Sequence, residues 1–156
     1  MNAKLRARGG LLATWFGAGL VPWAPGTVGS AAALPLAALL YWLGGPILVL
    51  AAAVAIFLVG WRAAEQYGQA TGASDPKEVV IDEVAAQMLP LAVAPFELLP
   101  WLAAFVAFRF FDVWKPFPCG YLDRTLHGGL GVMADDVAAG VYAIIVIVGL
   151  TELGVF

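Results

Sequence analysis

Between Arg8 and Arg62 the chain carries no charged residue, an uninterrupted run of 53 positions. A straight helix of that length would extend roughly 80 Å, far beyond a bilayer hydrocarbon core of about 30 Å. The run must therefore fold back on itself. The rest of the composition agrees: 62% of residues are hydrophobic, 12% are charged, and mean hydropathy is +0.89. Soluble domains carry about twice that share of charge. We read the chain as an integral membrane protein forming one domain over residues 1–156.

The net charge of −3 and the lack of a basic, aromatic-interleaved stripe argue against nucleic-acid binding. A lone Cys119 excludes an internal disulfide framework and a multi-cysteine metal site. Lys4, Arg6 and Arg8 precede a short apolar stretch soon broken by Gly17, Gly19 and Pro22, with no convincing cleavage site. We read this N-terminus as mature sequence, its bases marking a cytoplasmic end.

The expected fold class is all-α: a compact helical membrane protein with about four apolar segments. These run near Ser30–Leu43, Pro46–Gly60, Val84–Phe108 and Val137–Phe156. Gly44, Gly45 and Pro46 should reverse the chain between the first two. Pro90, Pro95, Glu97 and Pro100 interrupt the third, leaving a kinked span or a re-entrant hairpin turning near Phe96–Leu99. The hairpin is preferred because it keeps all eight Lys and Arg residues on one side of the membrane.

Eight of the eleven carboxylates then converge on that side: Asp75, Glu78, Asp82, Glu83, Asp112, Asp123, Asp135 and Asp136. Asp75-Pro76-Lys77-Glu78 has the pattern of a capped helix start, which would account for Asp75 and Glu78. Asp135 and Asp136 could cap the last helix. Against this stands a second reading, in which Asp82, Glu83, Asp112, Asp123, Asp135 and Asp136 are ligands for Mg²⁺, a hard cation that takes carboxylates, waters and phosphate oxygens. Arg109, Asp112 and Lys115 fall at spacings of three, on one stripe of a helix that Pro116 ends. The two bases could bind a phosphate or merely pair with Asp112. Small residues around Gly26, Thr27, Gly29 and Ser30 open an apolar helix, where backbone N–H groups could meet an anion or form a simple turn.

Several chemistries are missing. There is no Walker loop, dinucleotide fingerprint, Cys-x5-Arg loop or Asp-x-Asp motif, and His127 is the only histidine. A hydrolase built from these residues would rely on a metal-activated water. A proton or cation relay, or a non-catalytic helical membrane protein, remains the competing reading.

Four blocks carry a family resemblance: residues 19–30 (GLVPWAPGTVGS), Asp75-Pro76 with Val80-Ile81-Asp82-Glu83-Val84, residues 108–118 (FRFFDVWKPFP), and Asp123 followed by residues 128–133 (GGLGVM) and 135–140 (DDVAAG). In order and along nearly the whole chain, they resemble the bacterial phosphatidylglycerophosphatase A family. Departures occur at Ala85-Ala86-Gln87 and Cys119-Gly120, and neither involves a charged position. The resemblance implies a Mg²⁺-dependent phosphatase of the inner membrane that converts phosphatidylglycerophosphate to phosphatidylglycerol. It implies catalytic roles for Asp82, Glu83, Asp112, Lys115 and Asp136, and metal ligation among the six acids named above. Arg109, Lys115, Thr27 and Ser30 would contact substrate.

Overall fold

The computed structural model describes residues 3–73 and 76–156. Among these residues every regular element is helical. Two short helices, α1 (Ala3–Arg6) and α2 (Gly10–Ala13), and a 3-10 turn (Ala18–Leu20) lead into α3 (Pro25–Thr71), α4 (Ile81–Val93), α5 (Leu98–Trp114), α6 (Cys119–Thr125) and α7 (Gly128–Glu152).

α3 is two helices in one. At Gly45 the backbone takes φ +69° and ψ −165°, a conformation open to glycine and strained for other residues. The two arms come back to one place: Gly29 abuts Val80, while Gly60 abuts Ile81 and Met133. A continuous helix would hold residues 29 and 60 roughly 46 Å apart. The reversal expected at Gly44-Gly45-Pro46 is thus present.

α4 lies at the centre. Ten of its thirteen residues are buried, and Val84, Met88 and Leu91 pack with Ala33, Ala37, Val49 and Ala53 from both arms of α3. Small residues on α3 and α7 let the backbones approach closely, as where Gly140 meets the Ala86 carbonyl. The chain then breaks over residues 94–97, since Pro95 cannot continue α4 and Ala94 is extended. α5 returns antiparallel, its last turns beside the first turn of α4, so the third apolar segment is a helical hairpin.

Two sequence expectations change. Helix α4 begins at Ile81, and Pro76–Val80 forms a turn closed by a Val79 N–H to Pro76 carbonyl bond of 2.9 Å. Glu78 pairs with Lys4 instead of closing a capping box, and Lys4 holds its carboxylate below the ordinary value. The proposed cap Asp75 lies outside the described residues. α7 begins at Gly128, so Asp135 and Asp136 sit about two turns inside it and cap nothing.

Among the described residues, two helices are long and apolar enough to cross a membrane, α3 and α7, with mean hydropathies of 2.4 and 1.9 over their most apolar windows. Only 17% of the α3 window is buried in the protein. A soluble core helix would be mostly covered. Instead Leu39, Trp42, Leu43, Ile47, Leu58, Val106, Val113 and Ile145 all face outward. Such a continuous apolar exterior needs lipid around it, and we conclude that the protein associates with a membrane.

Candidate active site

All six candidate acids, with Arg109 and Lys115, line a single cavity of about 510 Å³. It lies where the first turn of α4, the last turn of α5, the α6 helix and the early turns of α7 meet the start of α3. Ala24, Pro25 and Gly26 supply the remaining wall, along with Pro76, Lys77, Val79 and the stretch from Leu126 to Gly128.

At its base Asp82, Glu83 and Asp136 each offer an oxygen, all within 4.8 Å of one another. Asp82 and Asp136 are buried and Glu83 partly so. Asp82 Oδ1, Glu83 Oε2 and Asp136 Oδ2 have no hydrogen-bond partner among the described residues. Buried carboxylate oxygens left unpaired are costly, and three converging ones repel one another as well. A hard cation relieves both penalties.

Local sequence explains the convergence. Asp82 and Glu83 occupy the first turn of α4, where the positive end of the helix dipole favours them. Gly26 makes room opposite: a Cβ there would lie 2.1 Å from Glu83 Oε1 and 3.3 Å from Arg109 Nη1. Arg109 pairs with Asp112 at 2.5 Å, and the Ser30 hydroxyl accepts from the same guanidinium at 3.3 Å.

Lys115 differs from its expected position on the Arg109–Asp112 stripe. Helix α5 stops at Trp114, and Lys115 is its C-cap in a left-handed conformation with φ +47°. That turn sends the ammonium away from Asp112 to Asp123 at 2.6 Å and Asp135 at 2.8 Å. Burial works to lower its proton affinity, but Asp123 and Asp135 outweigh burial and hold Lys115 above its ordinary value.

Two of the sequence candidates stand back from the cavity. Ser30 is buried, donating to the Gly26 carbonyl at 2.9 Å and supporting Arg109 from behind. Thr27 is not among the lining residues. Lys77 and His127 do line the cavity, though nothing in their local sequence marked them beyond proximity to acidic or glycine-rich blocks. Cys119 is buried, which pushes its thiol up and away from nucleophile duty.

The charge pattern restricts what can bind. Six carboxylates face Arg109, Lys115 and Lys77, so acidic groups outnumber basic ones two to one in the cavity. A relay would spread acids along the spans. Here Glu97 is exposed at the far end of the α4–α5 hairpin, Glu152 is exposed at the last residue of α7, and the six candidate acids cluster at the near end.

Comparisons with known proteins fit this geometry. The family described as Phosphatidylglycerophosphatase A matches residues 11–151. Phosphatidylglycerophosphatase A of Haemophilus influenzae is 42% identical over 138 residues, covering 88% of this chain and 85% of the relative. Its namesake in Escherichia coli is 40% identical over 132 residues, 84% of this chain and 76% of the relative. A Bacteroides thetaiotaomicron protein with phosphatidylinositol-3-phosphatase as its provisional name is 39% identical over 144 residues, 88% of this chain and 89% of the relative. No solved structure matches the chain. The matched span contains each of the six acids and all three bases of the cavity, and on this agreement the chain belongs to the phosphatidylglycerophosphatase A family.

Proposed function

We propose that the protein is a Mg²⁺-dependent lipid phosphatase that hydrolyses phosphatidylglycerophosphate to phosphatidylglycerol and phosphate. The observation that carries this reading is the trio Asp82, Glu83 and Asp136, with a buried, unpartnered oxygen on each side chain. These three would hold the cation. When bound, Mg²⁺ offsets the carboxylate charge, polarises the phosphomonoester and makes water more acidic.

The chain's own residues do the rest. Arg109, oriented by Asp112 and Ser30, presents its guanidinium to developing charge on the phosphoryl group. Lys115 holds Asp123 and Asp135 together and keeps a positive charge in the cavity while they supply further oxygen ligands. Whichever of Asp112, Asp123 and Asp135 is not engaged by the cation would accept a proton from the attacking water.

We further place the protein in the bacterial inner membrane as a multi-pass bundle, with the cavity on the cytoplasmic side. The two arms of α3, the shorter α4–α5 hairpin and α7 would be its four membrane-embedded segments. The bases Lys4, Arg62, Lys77, Arg109, Lys115 and Arg124 belong to the end of the bundle that carries the cavity, which supports this orientation. The lipid's tails then stay among the exposed apolar faces while its head group enters the cavity.

The test is phosphate release from phosphatidylglycerophosphate by purified protein in mixed micelles, with Mg²⁺ or with chelator. Release should require Mg²⁺, and Asp82→Asn and Asp136→Asn should each lower kcat by about 10² or more. Chelator-resistant turnover, or full activity in both variants, would refute the proposal.

A further inference from the structure

Among the described residues, Lys77 is the one of the three basic side chains in the cavity that closes no ion pair, its charge acting on Glu78 only at longer range. Arg109 is committed to Asp112 and Ser30, and Lys115 to Asp123 and Asp135. Lys77 makes no hydrogen bond or ion pair among the described residues, and its acidic neighbour Glu78 is taken by Lys4. Its backbone, by contrast, is well held. Pro76 is buried, the Val79 N–H bonds the Pro76 carbonyl at 2.9 Å, and the Val80 N–H bonds the Ala13 carbonyl at 2.9 Å. The backbone around Lys77 is thus fixed, while its exposed side chain, among those lining the cavity, closes no ion pair among the described residues.

The cavity is also larger than one phosphate requires. At roughly 30 Å³ for each water-sized group, a phosphate takes about 150 Å³, under a third of the 510 Å³ present. The proposed substrate has a second anion: the phosphodiester joining its head group to diacylglycerol. That group arrives on the lipid side of the phosphomonoester, and burying it without a cation partner would be costly.

We propose that Lys77 is the receptor for this phosphodiester, making the enzyme selective for lipids that carry a diester and a terminal monoester together. The inference rests on the phosphatase reading above. It assigns Lys77 a binding role, separate from the metal trio that would hold the monoester.

Product inhibition separates the two anions. Phosphatidylglycerol retains the diester only, and inorganic phosphate mimics the monoester only. In Lys77→Met, KM for phosphatidylglycerophosphate should rise about fivefold to tenfold with kcat changed less than twofold, as expected for one charge-assisted contact. Inhibition by phosphatidylglycerol should weaken by a similar factor, inhibition by inorganic phosphate should stay unchanged, and Lys77→Arg should recover most of the loss.

Unchanged phosphatidylglycerol inhibition would overturn the assignment. So would equal weakening toward both products, which would mark general attraction of anions. Failure of the wild-type protein to hydrolyse phosphatidylglycerophosphate would instead remove the phosphatase reading, and the Lys77 assignment with it.

Discussion

Gly26 offers the most incisive single perturbation. It sits in the first turn of α3 with ordinary helical backbone, so alanine is locally acceptable and even favoured by about 1 kcal/mol of helix propensity. The obstacle lies across the cavity. The new Cβ would stand 2.1 Å from Glu83 Oε1 and 3.0 Å from its Cδ, where carbon and oxygen need roughly 3.3 Å. The Glu83 carboxylate must retreat by about 1 Å, and Arg109 Nη1, 3.3 Å from the Cβ, leaves it little room on that side. A displacement of that size in a reacting site lowers rate by about 10², equivalent to about 2.7 kcal/mol of barrier. Gly26→Ala should therefore lose about a hundredfold in kcat and require more Mg²⁺ for half-maximal rate, while its thermal midpoint moves by only a few degrees. The assay is initial-rate phosphate release across a Mg²⁺ series, with melting followed by circular dichroism in detergent. Gly149→Ala is the control, since a Cβ there meets nothing within 4 Å. If Gly26→Ala keeps more than half of wild-type activity, Glu83 is not held at the reacting centre in the way described here.

Three further outcomes follow from the same contacts. Lys115→Met strands Asp135, a side chain only 7% exposed, and should lower stability by about 1–3 kcal/mol and abolish turnover; adding Asp135→Asn should recover stability in a melting experiment but not activity. Gly45→Ala places a Cβ at φ +69° and ψ −165° and should destabilise by about 1–3 kcal/mol in a detergent melt while leaving KM unchanged, because the strain lies at the turn remote from the cavity. Glu78 has a folded-state value held below its ordinary 4.5 by Lys4, so its contribution is full above about pH 4.5 and fades as pH falls through the lower value. Both side chains are partly exposed, so Glu78→Gln should remove no more than about 1 kcal/mol at pH 7 and flatten the acid limb of the stability curve.

Much of this architecture was legible in the residues, for reasons that can be named. The charge-free run demanded a reversal, and Gly44-Gly45-Pro46 was the one place where backbone chemistry permitted it. Pro90 and Pro95 within an apolar stretch, and the one-sided placement of bases, pointed to the α4–α5 hairpin. Convergence of the six acids followed from those two reversals. What escaped was local. Asp75-Pro76-Lys77-Glu78 reads as a helix start by every capping rule, yet the described part of it is a turn, because Glu78 finds Lys4 from 74 residues earlier. Spacing by three put Lys115 on the stripe of Asp112, but the helix ended one residue sooner and the left-handed cap redirected the ammonium. The partners that decided these cases are distant in sequence, and periodicity cannot see them.

The order of elements along the chain has a consequence for biogenesis. The hairpin of α3 is complete at Thr71, before any carboxylate of the cavity has been synthesised. It contributes to that cavity mainly small residues, and Ser30 behind them. At about 5–20 residues per second, Asp136 emerges roughly 3–13 s after Thr71. On the proposed topology the membrane-embedded scaffold is seated first, and the acids are delivered afterwards onto a surface already shaped to receive them. A lesion in α3 should then appear as a failure of insertion, and one in α7 as an inserted protein whose catalytic centre never closes.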